Sequence, residues 1–95
     1  MKAKIAVATV SGKAYYVLIS ELKKRGLNFS SLIPNESVPL DIEVVITTVA
    51  EQHLINHPGI LVYEDGTDPA MVVDEVIRII GGKKHYETIV MGVDP

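Results

Sequence analysis

The chain has 95 residues, no cysteine and a formal net charge of −3. Its length predicts a single domain with one core, and the lack of cysteine excludes a disulfide framework, a zinc–thiolate site and a thiol nucleophile. The negative charge argues against recruitment of nucleic acid or anionic membrane by the field of the whole protein, and a composition rich in Val and Ile favours buried parallel strands.

The first part of the chain alternates strand and helix patterns. Residues 4–9 predict a first strand, and Ser11 or Gly12 can cap the helix that follows over residues 13–25. The apolar residues of that helix recur at the i, i+3, i+4 and i+7 spacing of one face. They are Tyr15, Leu18, Ile19 and Leu22. Gly26 stands where a left-handed residue ends a helix, and Leu27–Phe29 predicts a second strand.

The middle of the chain begins with a segment rich in turn-forming residues. Two prolines and several turn formers over residues 30–41 predict a loop between strands. Ile42–Thr47 is the most hydrophobic run and predicts the central strand. Thr48 and Glu51 have the spacing of a capping box, in which each side chain bonds an amide at the start of a helix. The sequence Pro58-Gly59 then predicts that this helix is short.

The last part of the chain repeats the alternation. Ile60–Tyr63 predicts a fourth strand, and Asp68-Pro69 has the residue types of an N-cap and first helical position. The predicted buried stripe of the helix consists of Val73, Val76, Ile77 and Ile80. Gly81-Gly82 predicts its end, and Glu87–Val93 predicts a fifth strand.

Strands that alternate with helices predict an α/β fold. We expect a three-layer, flavodoxin-like or Rossmann-like domain with a mostly parallel five-stranded sheet and helices on both faces. The simplest strand order is 2-1-3-4-5, in which the connection from the second to the third strand has lost its helix.

The predicted strand order reverses between the first and third strands, where open α/β sheets usually bind ligands. The candidate site residues there are Thr9, Ser11, Gly12, Lys13, Thr47, Thr48 and Glu51. Amides at a helix start, beside a lysine, suit a phosphate or carboxylate. The turn lacks the G-x-x-x-x-G-K-[ST] pattern of a phosphate loop, so an ordinary capped strand-to-helix turn is the alternative.

Two other groups of residues have the chemistry of metal ligands but not the pattern. His53 and His57 are four residues apart, yet no glutamate follows His53 as in the zinc motif H-E-x-x-H, so histidines near a helix end are the preferred interpretation. Glu64, Asp65 and Asp68 lack the spacing of a calcium loop, and Asp68 already serves as a cap. We expect no cofactor for this chain.

The tail "IVMGVDP" resembles the first strand of RuvC-like nucleases of the RNase H superfamily, and the body is similar to uncharacterised archaeal proteins. The resemblance implies that Asp94 is one of the acidic residues that hold two catalytic Mg²⁺ or Mn²⁺ ions. The other acidic residues of that family are absent here. The resemblance therefore implies that residues 1–95 precede a nuclease domain that starts near residue 88. Alternatively, the tail is the edge strand of this domain.

These observations favour a binding or regulatory module that is not catalytic alone and is attached to a nucleic-acid-processing domain. The alternative is a stand-alone domain that binds a small molecule or anion at the turn Ser11–Lys13. We expect nucleic acid to be bound only by the downstream domain. We also expect a cytoplasmic protein without a membrane span, and a homodimer formed through an edge strand such as Leu27–Phe29 or through a helix face.

Overall fold

The structure is a computed structural model that describes the backbone of residues 4–91 and the side chains of residues 4–81. Its elements are β1 (Ile5–Ala8), α1 (Gly12–Lys24), β2 (Ser30–Leu32), β3 (Val44–Thr48), a 3₁₀ helix (Gln52–Leu54), β4 (Ile60–Tyr63) and α2 (Pro69–Met91). The strands form one parallel sheet in the order β2-β1-β3-β4. The predicted flavodoxin-like α/β class and the order of the first four strands are therefore confirmed.

Both long helices cover the same face of the sheet, which we call the helix face. Its buried residues include Leu18 and Leu22 of α1, Val73 and Val76 of α2, and Ile5, Val7, Val44 and Ile46 of the sheet. The two helices are neighbours: Arg25, after α1, donates to Asp74 at 2.5 Å and to the Ala70 carbonyl of α2 at 3.3 Å. The predicted placement of helices on both faces is therefore wrong.

The opposite face, which we call the loop face, is covered by connections between strands. Val38 and Ile55 belong to these connections, and they pack with Ala6, Ala8 and Val45 of the sheet. Right-handed crossovers that leave the centre of a sheet in opposite directions lie on opposite faces. The connection from β3 to β4 therefore lies opposite α1, but it contains only the 3₁₀ helix where we expected an α-helix.

His57 holds the connections of the loop face against the sheet. Its Nε2 lies 2.9 Å from the Ile42 carbonyl, and its Nδ1 accepts a hydrogen bond of 2.9 Å from the Gly59 amide. A Cβ at Gly59 would lie 2.5 Å from the Glu43 carbonyl oxygen, so only glycine fits this approach. Both ring nitrogens of His57 are thus used within the fold, while His53 is exposed.

The second strand begins three residues later than predicted. Gly26, with φ of 71°, ends α1, and the Leu27 amide bonds the Leu22 carbonyl at 3.0 Å. This is the hydrogen bond of a Schellman motif, so Leu27 still belongs to the helix end and cannot begin a sheet ladder. Phe29 packs against the helix-face core, and pairing with β1 starts at Ser30.

The predicted fifth strand is wrong for residues 87–91, because α2 continues through them to Met91. Glycine within a helix costs only about 1 kcal/mol relative to alanine, so Gly81-Gly82 need not end one. Residues 92 and 93 lie outside the described residues. The predicted stripe also needs correction, since Ile77 is exposed and Val72 is buried in its place. None of the helices in residues 4–91 is long and apolar enough to cross a membrane.

Candidate functional site

The carboxyl ends of the four parallel strands meet at one edge of the sheet, as the predicted strand order requires. The loops after β1 and β3 lie side by side there, because these strands pair directly. The loop after β1 leads into α1, and the loop after β3 leads into the 3₁₀ helix. The predicted site residues of both loops are therefore neighbours in space.

Glu51 joins these two loops. Its Oε1 accepts hydrogen bonds from the Thr9 hydroxyl at 2.5 Å and from the Thr48 hydroxyl at 2.8 Å. Its Oε2 accepts the Val10 amide at 2.9 Å. Two of the three donors, Thr9 and Val10, lie 42 and 41 residues before Glu51 in the chain. The carboxylate therefore fixes the β1–α1 loop against the β3 loop.

The environment of Glu51 favours its ionised form. The residue is only 9% exposed, and burial by itself would raise the pKa of its carboxyl group. The hydrogen bonds from Thr9, Val10 and Thr48 together outweigh burial and hold this pKa below its ordinary value. Glu51 is therefore a buried carboxylate that stays charged at neutral pH, and its oxygens accept hydrogen bonds from other residues of the fold.

The capping box predicted from Thr48 and Glu51 is wrong in its hydrogen bonds. The Thr48 hydroxyl donates to the Glu51 carboxylate, and no side chain of residues 4–81 caps the 3₁₀ helix. Tertiary hydrogen bonds replace the predicted local ones, because the neighbouring β1–α1 loop offers Glu51 both an amide and a hydroxyl.

The turn Ser11–Lys13 begins α1 as predicted. Ser11 is the N-cap, and its hydroxyl accepts the Ala14 amide at 3.3 Å. Gly12 and Lys13 are the first two residues of the helix, where amides have no acceptor within the helix. The Lys13 ammonium lies 3.4 Å from an Asp65 carboxylate oxygen, and both side chains are largely exposed. The lysine is thus already paired with an acid from the loop after β4.

Thr47 is placed differently from the other candidate residues. It is fully buried, and its hydroxyl has no hydrogen-bond partner among the described residues. Alternate residues of a strand share a face, so Thr47 lies on the loop face with Val45 while Thr48 lies on the helix face. A ligand at the surface cannot reach the Thr47 hydroxyl in this structure.

Among the described residues, a cleft opens at the carboxyl edge on each side of the α1 start. The larger, of about 500 Å³, lies between α1 and the loops after β3 and β4, and we call it the β3–β4 cleft. It is lined by Ser11, Lys13, Ala14, Thr48, Val49, Ala50, Tyr63, Glu64 and Asp65. The smaller, of about 310 Å³, lies between the ends of β1 and β2 and is lined in part by Tyr15 and Leu32.

The match to a known family covers most of this fold. A family model described as a response regulator receiver-like domain matches residues 4–80. The chain belongs to the response regulator receiver-like family. A receiver-like domain indicates a regulatory module. No curated protein and no solved structure matches the chain.

The tail with the nuclease-like motif lies beyond the matched residues of the receiver-like domain. The match ends at residue 80, and none of the comparisons supports a relation to RuvC-like nucleases. Asp94, the metal ligand implied by that resemblance, lies outside the described residues. Its role stays a prediction.

The sequence interpretation of the receiver-like domain missed several residues that line the β3–β4 cleft. Tyr63 ends β4, the strand next to β3, and Glu64 and Asp65 follow it, so the predicted order already placed them at the same edge. The sequence pattern offers Glu64 and Asp65 only as metal ligands. Within the described residues, no three His, Cys, Asp or Glu side chains form a group that could hold a metal ion. Asp68 instead caps α2, accepting the Ala70 amide at 3.0 Å.

Proposed function

We propose that this chain is a non-catalytic regulatory module that binds a small organic ligand in the β3–β4 cleft. The observation that carries the proposal is the cleft itself, since its volume of about 500 Å³ lies within the usual range of small-molecule sites. It also lies beyond the carboxyl ends of parallel strands, where α/β sheets commonly bind ligands.

The lining of the cleft favours a neutral or positively charged ligand. Val49, Ala50 and Tyr63 supply apolar surface, while Glu64 and Asp65 place two acids at the rim against the single lysine, Lys13. The lysine is already paired with Asp65. The local charge is thus negative, and an anion would meet repulsion where a cation would meet attraction.

The hydrogen bonds of Glu51 support a regulatory rather than a catalytic role. A general acid or base must be able to exchange a proton with a bound substrate. Glu51 instead accepts from Thr9, Val10 and Thr48, which link the loop that starts α1 to a loop that lines the cleft. A ligand that moves Thr48 would therefore alter the hydrogen bonds of the β1–α1 loop.

The proposal can be tested by recording amide spectra of the ¹⁵N-labelled chain with small organic cations, neutral molecules and inorganic phosphate. We expect the organic cations or neutral molecules to shift the signals of residues 48–50 and 63–65. Ala50→Trp fills the cleft and should abolish these shifts. Leu40→Trp is the matched control, because Leu40 is fully exposed and lines a different hollow. Shifts that survive Ala50→Trp would contradict the proposal.

The second candidate is an anion at the turn Ser11–Lys13, favoured by the amides of Gly12 and Lys13 at the helix start. The charges of Asp65 and Glu51 oppose it. In the same experiment, this alternative is supported if phosphate shifts the signals of residues 11–13 and the shifts weaken with added sodium chloride. If phosphate leaves these residues unchanged, the alternative fails.

The attachment to a nuclease domain rests on the tail alone. We propose it as the setting in which a regulatory module of this kind would act, with a domain boundary near residue 88. The test is cleavage of structured nucleic acid by the full-length natural protein in Mg²⁺ or Mn²⁺. Asp94→Asn should abolish cleavage, because it removes the charge that recruits metal. Cleavage that persists in the variant would contradict the role of Asp94.

A further inference from the structure

The outer edge of β4 lacks the features that usually protect an edge strand. In the described part of the chain, β4 pairs only with β3 and forms one edge of the sheet. Its sequence, Ile-Leu-Val-Tyr, contains no charge and no proline. Natural edge strands generally carry such residues, or a bulge, because an apolar edge pairs readily with another chain.

The register of β3 and β4 shows which backbone groups face outwards. The Val45 amide donates to the Gly59 carbonyl at 2.8 Å, and Val45 is aligned with Ile60. In a parallel ladder, every second residue of a strand faces the neighbour it bonds. Leu61 and Tyr63 therefore face β3, while the amides and carbonyls of Ile60 and Val62 face away from the sheet.

We propose that this edge pairs with β4 of a second copy of the chain to form a homodimer. A two-fold axis requires the two β4 strands to run antiparallel. Ile60 of one copy then exchanges both hydrogen bonds with Val62 of the other, and Leu61 meets Leu61 of the second copy at the axis. The result is one continuous sheet of eight strands.

The charges around β4 are compatible with this register and support a second copy as the partner. In this alignment Glu64 lies opposite Pro58 of the second copy, and Asp65 lies opposite His57, so no two acids face each other. Tyr63 lies opposite Gly59, and its ring stays packed in the helix-face core of its own copy. This register therefore brings no like charges together across the two-fold axis.

The other edge of the sheet fits a partner less well. β2 has only three residues, Ser30–Leu32, and its central residue Ser31 is polar and exposed. The edge that pairs in this dimer is therefore β4, whereas the edge predicted from the sequence is Leu27–Phe29. A four-residue strand buries a small area, so we expect the dimer to form reversibly with rising concentration.

A disulfide provides the sharpest test, because the natural chain has no cysteine. Leu61→Cys places two thiols in directly opposite positions, at a Cα separation that a disulfide can span. We expect air oxidation to give a covalent dimer. Tyr16→Cys is the control, since Tyr16 is 67% exposed on α1 and far from the edge. Equal cross-linking of the two variants would overturn the proposal.

Sedimentation of the cysteine-free chain provides a second test. Val62→Pro removes an amide that faces outwards, so the sheet of each copy keeps its own hydrogen bonds. The dimer loses two symmetric hydrogen bonds, and its dissociation constant should rise roughly tenfold or more. Val62→Thr keeps the amide and should dimerise like the natural chain. A natural chain that stays monomeric up to millimolar concentration would refute the proposal.

Hydrogen exchange shows whether a second copy or a segment of the same chain covers the outer edge of β4. If a second copy covers the edge, protection of the Ile60 and Val62 amides should increase with protein concentration. Protection that is already complete in the dilute monomer would show that the chain covers its own edge, and it would overturn the dimer. The Leu61 amide, which bonds β3, should be protected at all concentrations and serves as the reference.

Discussion

The two faces of the sheet are stabilised in different ways. The helix face is covered by large aliphatic side chains from two helices, among them Leu18, Leu22 and Val73. The loop face is covered by irregular connections over the small side chains of Ala6 and Ala8. Polar contacts, such as those of His57 and Glu51, hold the connections of that side in place.

This difference suggests where change is tolerated. Buried apolar area contributes stability in proportion to its size, so large residues on the helix face should dominate the free energy of unfolding. The connections of the loop face contribute less apolar area but fix the positions of the loops at the carboxyl edge. We therefore expect the helix face to determine stability and the polar contacts of the connections to determine the geometry of the site.

The largest effect should come from the helix face. Leu18→Ala should lower the free energy of unfolding by about 3 kcal/mol, because Leu18 is fully buried and alanine leaves a cavity. Val38→Ala on the loop face removes two methyl groups from a half-buried side chain and should cost about 1 kcal/mol. Urea denaturation measures both, and Tyr16→Ala is an exposed control. Similar losses for Leu18→Ala and Val38→Ala would contradict the comparison.

The next effect tests the close backbone approach on the loop face. Gly59→Ala should destabilise the fold by about 2 kcal/mol, because its Cβ would lie 2.5 Å from the Glu43 carbonyl oxygen. Gly12→Ala is the matched control. A Cβ there meets no atom of the described residues within 4 Å, and the helical position favours alanine, so this variant should be neutral or slightly more stable. If Gly59→Ala unfolds like the natural chain, the backbone at Gly59 does not approach the Glu43 carbonyl this closely in solution.

Glu51 links stability to pH. Because its pKa is lowered in the folded state, its contribution is present at neutral pH and is lost as the pH falls below the ordinary value of 4.5 towards the folded-state pKa. Glu51→Gln should lower the free energy of unfolding by about 1–2 kcal/mol at pH 7, since the amide cannot accept all three hydrogen bonds. The variant should also lose this part of the pH dependence.

The matched control for Glu51 is Glu64→Gln, which alters an exposed acid at the same edge. Chemical denaturation between pH 3 and pH 7 distinguishes the two. The difference in free energy of unfolding between the natural chain and Glu51→Gln should shrink as the pH falls. The free energy of unfolding of Glu64→Gln should follow that of the natural chain. A difference that stays constant with pH would show that Glu51 acts through its shape and not its charge.

Three local signals in the sequence predicted the local structure correctly. Ser11 caps α1, Gly26 ends it and Asp68 caps α2, because each acts on backbone groups within a few residues. The order of the first four strands followed from general rules of connection. The face that each helix covers was not predictable in this way, because it depends on which connections keep a helix.

The candidate site was predicted in position but not in detail. Thr9, Ser11 and Glu51 do lie together, because the carboxyl ends of paired parallel strands meet. The hydrogen bonds of Glu51 depend on a loop 41 residues away, which no local pattern reports. Tyr63 was missed because an aromatic residue at a strand end is an ordinary core residue until the neighbouring cleft is known.

The smallest effect compares two adjacent threonines that lie on opposite faces. The Thr47 hydroxyl is buried and has no hydrogen-bond partner within the part of the chain that the structure describes, whereas the Thr48 hydroxyl donates to Glu51 at 2.8 Å. Thr47→Val replaces an unsatisfied hydroxyl by a methyl group of similar size and should stabilise the fold by about 1 kcal/mol. Thr48→Val removes a hydrogen bond and should destabilise it by a similar amount.

Both substitutions keep a β-branched side chain in the same strand, so changes in strand propensity cancel between them. Urea denaturation at pH 7 gives the two free energies, and equal slopes would show that neither variant alters the surface exposed on unfolding. Opposite signs are expected. If Thr47→Val is instead the less stable of the two, its hydroxyl has a hydrogen-bond partner in solution, and the loop face is held by one more polar contact than the structure shows.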